Sequence, residues 1–310
     1  MVQHLITLAD WNTQQVLNVI AKAQDVKANP QKYSSSLQGK SLIMLFEKPS
    51  LRTHLSFDIG MYQLGGHSIY YNASNSPLGK GKESLSDTIR VMGRYADILM
   101  ARMFSHQHLC EMAKHSTIPI INGLTNFSHP CQILGDLLTI KEKKGKLEGL
   151  KLAYFGDSNN NVTHSLLYGC AHAGMHIAVG CPRDENFCPN VGVFNHAVSI
   201  ANGKGTKVTL HHNAQEAVKD ADVVYTDSWM SYHVPPEEEK KRIDTLKPFQ
   251  VNSQLMKHAK PDAIFMNCLP AMREYEQTAE VLDGPQSVVF DEAENRLHIQ
   301  KAIMLTLLGK

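Results

Sequence analysis

The 310-residue sequence has no CxxC pair, no long apolar run and no excess of charge of either sign. Its cysteines stand singly, at Cys110, Cys131, Cys170, Cys181, Cys188 and Cys268, so neither a zinc ribbon nor a disulfide framework is indicated. Free thiols in a reducing compartment fit that spacing better. His172 and His176 lie four apart and could share a helix face as metal ligands, but no third ligand is evident. No stretch reaches the roughly 18 apolar residues of a membrane span. The N-terminus lacks a basic region followed by an apolar core, so a secretory signal is not expected and the cytoplasm is the default. Lys plus Arg number 31 against 30 for Asp plus Glu, which leaves no global basic field for nucleic acid. A local cluster can still bind an anion. There is no internal repeat and no low-complexity segment.

What is present is ordinary for a globular chain with a real core: 43% hydrophobic and 20% charged residues. The length exceeds that of a usual single domain. Asp10 reads as an N-cap, with Val16, Ile20 and Ala23 following at helical spacing. Short apolar runs then alternate with helical patterns. The strand candidates are Ser41–Phe46, Ile98–Ala101, Thr117–Ile121, Lys151–Phe155, His176–Val179, Lys207–Leu210, Val223–Thr226, Ala263–Met266 and Val288–Phe290. Continuous apolar strands separated by helices argue for parallel sheets covered on both faces. The charged, glycine-bearing segment 141–150 (KEKKGKLEGL) marks a boundary. The expectation is an α/β chain of two domains, 1–140 and 150–292, each a mainly parallel sheet flanked by helices. A last helical pattern over 293–310 is expected to pack back on the first.

The polar and titratable residues concentrate in the turns after the strands, where open α/β sheets bind ligands. Phe46 leads to Glu-Lys-Pro-Ser50-Leu51-Arg52-Thr53, and Ala101 to Arg102. A helix opening at Ser50–Thr53 offers free N–H groups and a positive dipole end, and two hydroxyls with a guanidinium complement phosphate oxygens. An ordinary Ser N-cap beside a surface Arg explains the same residues. His129-Pro-Cys-Gln132 places an imidazole and an amide one turn apart, either on one ligand or as a buried hydrogen-bonded histidine. Cys268-Leu269-Pro270 is a nucleophilic thiol or a small residue in a tight turn, and no base lies beside it in sequence.

Taken in order along the chain, these segments resemble the aspartate/ornithine carbamoyltransferase superfamily, on its ornithine branch. The resemblance covers essentially the whole chain. It rests on Phe46–Thr53, His129–Gln132, Gly156-Asp157 with Asn160-Asn161-Val162, Asp227-Ser-Trp229-Met-Ser231, Cys268–Pro270 and Glu294–His298. It implies carbamoyl phosphate bound by the N-terminal domain and L-ornithine by the C-terminal domain, with the active site in the cleft between them. Citrulline and phosphate would be the products, in arginine metabolism. Ser50, Leu51, Arg52 and Thr53 would hold phosphate, Leu51 through its backbone. Arg102 would bridge phosphate and carbonyl oxygen, His129 would donate to that oxygen, and Gln132 would hold the carbamoyl amide. Arg296 would approach from the final helix. The ornithine carboxylate would meet Asn160 and the backbone after Ser231, at Tyr232. Its α-ammonium would pair with Asp227, while Cys268 and the Leu269 carbonyl orient the side-chain amine. No metal or cofactor is called for. A homotrimer or a multiple of trimers is implied, with a loop near Lys80–Lys82 reaching the neighbouring site.

Several positions depart from the family pattern. Leu51 stands where Thr is common, His54 where Arg is common, and Asn267 precedes Cys268 in place of His. Tyr232-His233 replaces Met-Gly, with Pro235-Pro236 following, and the loop Asn75–Lys82 lacks the family's Gln. These changes keep a carbamoyltransferase for putrescine or an acylated ornithine in view, and a catalytically silent homologue. A nucleotide-dependent oxidoreductase would need a GxGxxG turn, which Gly156-Asp-Ser-Asn is not.

Overall fold

A computed structural model of the chain describes residues 2–73, 83–230 and 235–310. The chain divides into two compact units, Met1–Leu138 with Glu294–Lys310, and Thr139–Ala293. The division falls inside the helices Pro130–Lys144 and Val289–Leu307.

The first unit is built on four parallel strands: β1 (Ser41–Phe46), β2 (His67–Asn72), β3 (Ile98–Arg102) and β4 (Ile120–Leu124). Their order is β2-β1-β3-β4. β1 and β3 are almost wholly buried, as their unbroken apolar runs require of central strands. On one side Ile43, Leu45, Leu99 and Ala101 pack with Ile89, Met92, Leu109 and Met112 of the helices Leu85–Tyr95 and His106–His115. The second unit has five parallel strands: β5 (Lys151–Phe155), β6 (His176–Gly180), β7 (Val208–His211), β8 (Val223–Thr226) and β9 (Ile264–Met266). Their order is β7-β6-β5-β8-β9. Ala153, Phe155, Val224 and Phe265 anchor its core against Val251, Leu255 and Val281. Two mainly parallel sheets flanked by helices are thus the architecture the sequence pattern implied.

In each sheet the strand order reverses direction once. The reversal lies between β1 and β3 in the first unit and between β5 and β8 in the second. Connections leave such neighbouring strands in opposite directions, and the crevice they leave at the carboxyl ends is the usual ligand position.

Four expectations need correction. β2 was not anticipated; its sequence HSIYYN is an edge strand with an exposed pattern, so no apolar run announces it. The strand expected at Thr117 begins at Ile120, after Pro119. Val288–Phe290 is not a strand: Val288 N donates to the Phe265 carbonyl, and the chain then enters the helix at Val289. Asp10 ends a short 3-10 turn, and the first long helix, Thr13–Ala28, is capped by Asn12 in a reciprocal box with Gln15. Among the described residues no helix is long and apolar enough to cross a membrane.

Candidate functional site

Ser50 is the N-cap of the helix Leu51–Gln63, and its hydroxyl accepts from Thr53 N at 3.3 Å. The turn therefore opens at the carboxyl end of β1, beside β3. Thr53 is buried, Arg52 half-buried and Leu51 exposed, so Leu51 has only its backbone to offer this turn. Arg102 ends β3 at a register shift against β4, where Ala101 pairs with Asn122 but Arg102 with Leu124. The bulge turns Arg102 toward Thr53. Its Nη1 donates to Thr53 Oγ1 at 3.4 Å. Gly123, the extra residue, has no room for a side chain: a Cβ there would lie 2.4 Å from Met100 Sδ.

His129 and Gln132 open the helix Pro130–Lys144, with Pro at the first helical position, where its missing N–H costs nothing. Both are buried. Gln132 Nε2 donates to Asp136 Oδ1 at 2.8 Å, while its Oε1 accepts from Arg296 Nη1. Arg296 Nη2 donates to Thr53 Oγ1 at 3.4 Å. Ser50, Thr53, Arg102, Gln132 and Arg296 thus come together within the first unit, and His129 faces the charges of Arg296, Arg102, Lys48 and Arg52. Burial first, then those four cations, hold its imidazole well below its ordinary pKa, so it is neutral near pH 7. Burial and the charge of Arg102 also lower the Lys48 ammonium to about 8, against a partial rise from Glu47. Several cations crowded around a neutral imidazole make a site for an anion.

In the second unit, Gly156 follows β5 at φ +114°, where a Cβ would meet Trp229 Nε1 at 2.7 Å, so only glycine fits. Asn160 caps the helix Asn161–Ala173: its Oδ1 accepts from Thr163 N at 2.8 Å. Its Nδ2 donates to the Asp157 carbonyl at 2.6 Å and approaches the Tyr154 hydroxyl at 3.0 Å. Asp227 follows β8, the neighbour of β5. The Cys268 thiol donates to its Oδ1 at 3.2 Å. Burial raises the Asp227 pKa, opposed by a backbone hydrogen bond at Ser228 and by Cys268, while Asp157 adds to the rise. No cation pairs with Asp227 among the described residues.

Asn267, where the family commonly has His, is fully buried and shapes the Cys268 turn. Its N–H donates to Glu292, its Nδ2 to Gln277 Oε1 at 3.1 Å, and its Oδ1 accepts from Leu269 N at 2.8 Å. Leu269 adopts φ +53° before a cis bond to Pro270. His54 packs its ring against Tyr70 at 4.6 Å and Phe46 at 5.9 Å, an aromatic environment rather than an ion pair. Ser231, Tyr232 and His233, and the loop with Lys80–Lys82, lie outside the described residues.

Sequence reasoning passed over four residues. Lys48 was visible as a cation before Pro49 in the same turn. Asp136, one helical turn beyond Gln132, could have been found as its i+4 partner. Glu276 and Arg242 carry no motif; only the fold brings them near Asp227 and Asp157.

Both parts of the chain match models of one family. The family model described as "Aspartate/ornithine carbamoyltransferase, carbamoyl-P binding domain" matches residues 3–142. The one described as "Aspartate/ornithine carbamoyltransferase, Asp/Orn binding domain" matches residues 148–307. An ornithine carbamoyltransferase of Methanocaldococcus jannaschii is 50% identical over 304 residues, covering 97% of each chain. One from Bacillus subtilis is 46% identical, covering 99% of this chain and 94% of its own. The solved ornithine carbamoyltransferase of Pyrococcus furiosus superposes with a TM-score of 0.94 at 44% identity, over 99% of this chain and 97% of that one.

Proposed function

Because the chain belongs to the aspartate/ornithine carbamoyltransferase family, we propose that it transfers the carbamoyl group of carbamoyl phosphate to the side-chain amine of L-ornithine. The products are L-citrulline and phosphate. The observation that carries the reading is the cation cluster around neutral His129, joined to Thr53 and Gln132 through Arg102 and Arg296. Such a site suits a phosphate dianion attached to a polarisable carbonyl.

In this reading Ser50, Arg52, Thr53 and the Leu51 N–H hold the phosphate, with Lys48 nearby. Arg102 and His129 address the carbonyl oxygen, and Gln132, oriented by Asp136, addresses the carbamoyl amide. Attack at the carbonyl carbon puts negative charge on that oxygen. Arg102, His129 and Thr53 therefore contribute most in the tetrahedral state. His129 must be the tautomer that carries a proton toward the oxygen, and its depressed pKa keeps it neutral while doing so. The departing phosphate can accept a proton from the attacking amine.

Ornithine is held by groups of the second unit. Its α-ammonium pairs with Asp227, for which no cation partner occurs among the described residues, and its carboxylate meets Asn160. A side-chain ammonium with a pKa of about 10 must lose its proton before it attacks. Cys268 Sγ and the Leu269 carbonyl lie on the turn that would orient that amine. The Cys268 thiol hydrogen-bonds the Asp227 carboxylate, which in this reading serves the α-ammonium, so the thiol acts by orientation.

The finer readings join this one. A homotrimer is supported by an exposed apolar stripe on the helix Leu51–Gln63, where Leu51, Leu55, Ile59 and Tyr62 are 69, 45, 43 and 80% exposed. A cytoplasmic setting is supported by the six free cysteines.

The test is citrulline formation measured with ornithine, putrescine, N-acetylornithine and aspartate as parallel acceptors. Turnover with ornithine well above the others is expected. Turnover with another amine and none with ornithine would overturn the reading.

A further inference from the structure

Arg242 lies on the helix Glu239–Leu246, in a segment that none of the ligand-binding motifs includes. Its guanidinium nevertheless joins both strand-end turns that carry the proposed ornithine groups. Nη2 forms an ion pair with Asp157 Oδ2, at the turn after β5. Nε donates to the Trp229 carbonyl at 2.8 Å, at the turn after β8. Its Cζ lies 5.0 Å from the centroid of the Phe187 ring, within cation–π range. Both side chains of the ion pair are nearly buried, 14% exposed for Arg242 and 13% for Asp157.

Asp157 is the hub of its own turn. Its carbonyl accepts from Asn160 Nδ2 and from the Tyr154 hydroxyl, both at 2.6 Å, and its Oδ1 accepts from Asn159 N at 3.0 Å. Trp229 is fully buried two residues after Asp227 and packs with Phe187 and Leu246. A planar guanidinium can hold a carboxylate with one edge and a carbonyl with another, which a lysine ammonium does only as a point charge. Asp157 also adds to the upward push on the Asp227 pKa, so the cation on Asp157 limits repulsion between two buried carboxylates.

We propose that Arg242 is a positioning residue for ornithine. It clamps the Asp157–Asn160 turn to the Asp227–Trp229 turn, so that the carboxylate-binding and ammonium-binding groups stay at the spacing of one α-amino acid. It touches no substrate itself. The inference rests on the functional reading above, and loss of the clamp leaves the carbamoyl phosphate groups, which belong to the first unit, intact.

The experiment compares wild type, Arg242→Lys, Arg242→Met, Asp157→Asn and the Met/Asn double variant, all as full chains. KM for ornithine, kcat, and affinity for inorganic phosphate are measured for each. Arg242→Met is expected to raise the ornithine KM about 10- to 100-fold, the range for losing a charge-assisted hydrogen bond, with phosphate affinity unchanged. Retained phosphate affinity shows that the first unit has folded, and a kcat retained at saturating ornithine shows the same for the second. Arg242→Lys recovers part of the loss, and the double variant is less impaired than the sum of the singles because no unpaired carboxylate remains. If wild type forms no citrulline from ornithine, the functional reading falls and this inference with it. If wild type is active and Arg242→Met keeps its ornithine KM, the clamp alone is refuted. If Arg242→Met loses phosphate binding and Arg242→Lys keeps a wild-type KM, the guanidinium geometry has no special role and the proposal also fails.

Discussion

Thr53 and Arg296 stand 243 residues apart in the chain, yet Arg296 Nη2 donates to Thr53 Oγ1 at 3.4 Å. The same hydroxyl receives Arg102 Nη1 at 3.4 Å, so one small side chain holds two guanidiniums that would otherwise repel. Arg296 also donates to Gln132 Oε1 through Nη1, so the hydroxyl and the amide together fix the two guanidiniums near one point. The arrangement is preorganised for an anion.

Anion binding at this cluster should show as ligand-dependent stability. Phosphate or carbamoyl phosphate is expected to raise the Tm of the wild-type protein. At a concentration 100 times Kd the gain corresponds to about 2.7 kcal/mol. Arg102→Met is expected to lose most of this shift and to lower kcat/KM for carbamoyl phosphate by at least about 100-fold, the scale for removing one oxyanion donor. Thermal melts with and without phosphate check the first statement. An Arg102→Met protein with the full wild-type shift would show that the cluster does not bind phosphate.

Lys48 gives the same site a pH signature. Its ammonium is lowered to about 8 by burial and by Arg102. A bound dianion favours the charged form and raises that pKa. Binding therefore takes up a proton between about 8 and the higher bound value, and phosphate affinity falls as pH rises through that window. Calorimetry in buffers of different ionisation heat reads the uptake directly. Lys48→Met is expected to weaken binding and to remove the uptake near pH 8.5. If the variant keeps the uptake, the proton goes elsewhere.

How far the sequence foreshadowed this arrangement depended on the reach of each interaction. β1, β5 and β8 were legible to the residue because central parallel strands are buried on both faces and read as unbroken apolar runs. β2 was not, because an edge strand exposes alternate polar groups that look like loop. The Ser50–Thr53 turn was legible as a possible anion site, since helix caps are local. The resemblance added His129, Gln132 and Arg296 as partners. Arg242 and Glu276 were illegible: nothing local distinguishes them from the neighbouring charged residues of a solvated helix and a surface turn. Their partners are set by packing, Asp157 lying 85 residues from Arg242.

Asp227 predicts how ornithine binding responds to acid. Burial raises its carboxyl above the ordinary range, and the α-ammonium of ornithine needs it ionised. The ornithine KM is therefore expected to rise, as pH falls, earlier than an ordinary carboxylate would allow. Asp227→Asn removes the charge while keeping the shape. It is expected to raise the ornithine KM by at least about 100-fold, the range for losing a buried charge partner, and to leave phosphate affinity unchanged. A KM that stays level in the variant would remove Asp227 from the ammonium site.

Glu276 makes a prediction about stability rather than turnover. The side chain is buried, its Oε1 accepts from Met272 N at 3.1 Å, and burial lifts its pKa to about 7, with Asp227 contributing to the rise. Its ordinary value is 4.5, so between these two values the folded state binds a proton that the unfolded state has released. Stability then falls as pH rises, because the slope follows the protons bound by the unfolded state minus those bound by the folded state. The contribution is fully favourable below about 4.5, is lost by about pH 7, and stays lost above it. A rise from 4.5 to about 7 corresponds to about 3 kcal/mol at most, reduced by any solvent screening of the carboxyl. Glu276→Gln keeps an oxygen for Met272 N and cannot ionise. Urea unfolding at pH 5 and pH 8 should therefore give a smaller difference between the two pH values for the variant than for wild type. Parallel pH slopes in the two proteins would mean that Glu276 ionises as freely in the folded chain as in the unfolded one.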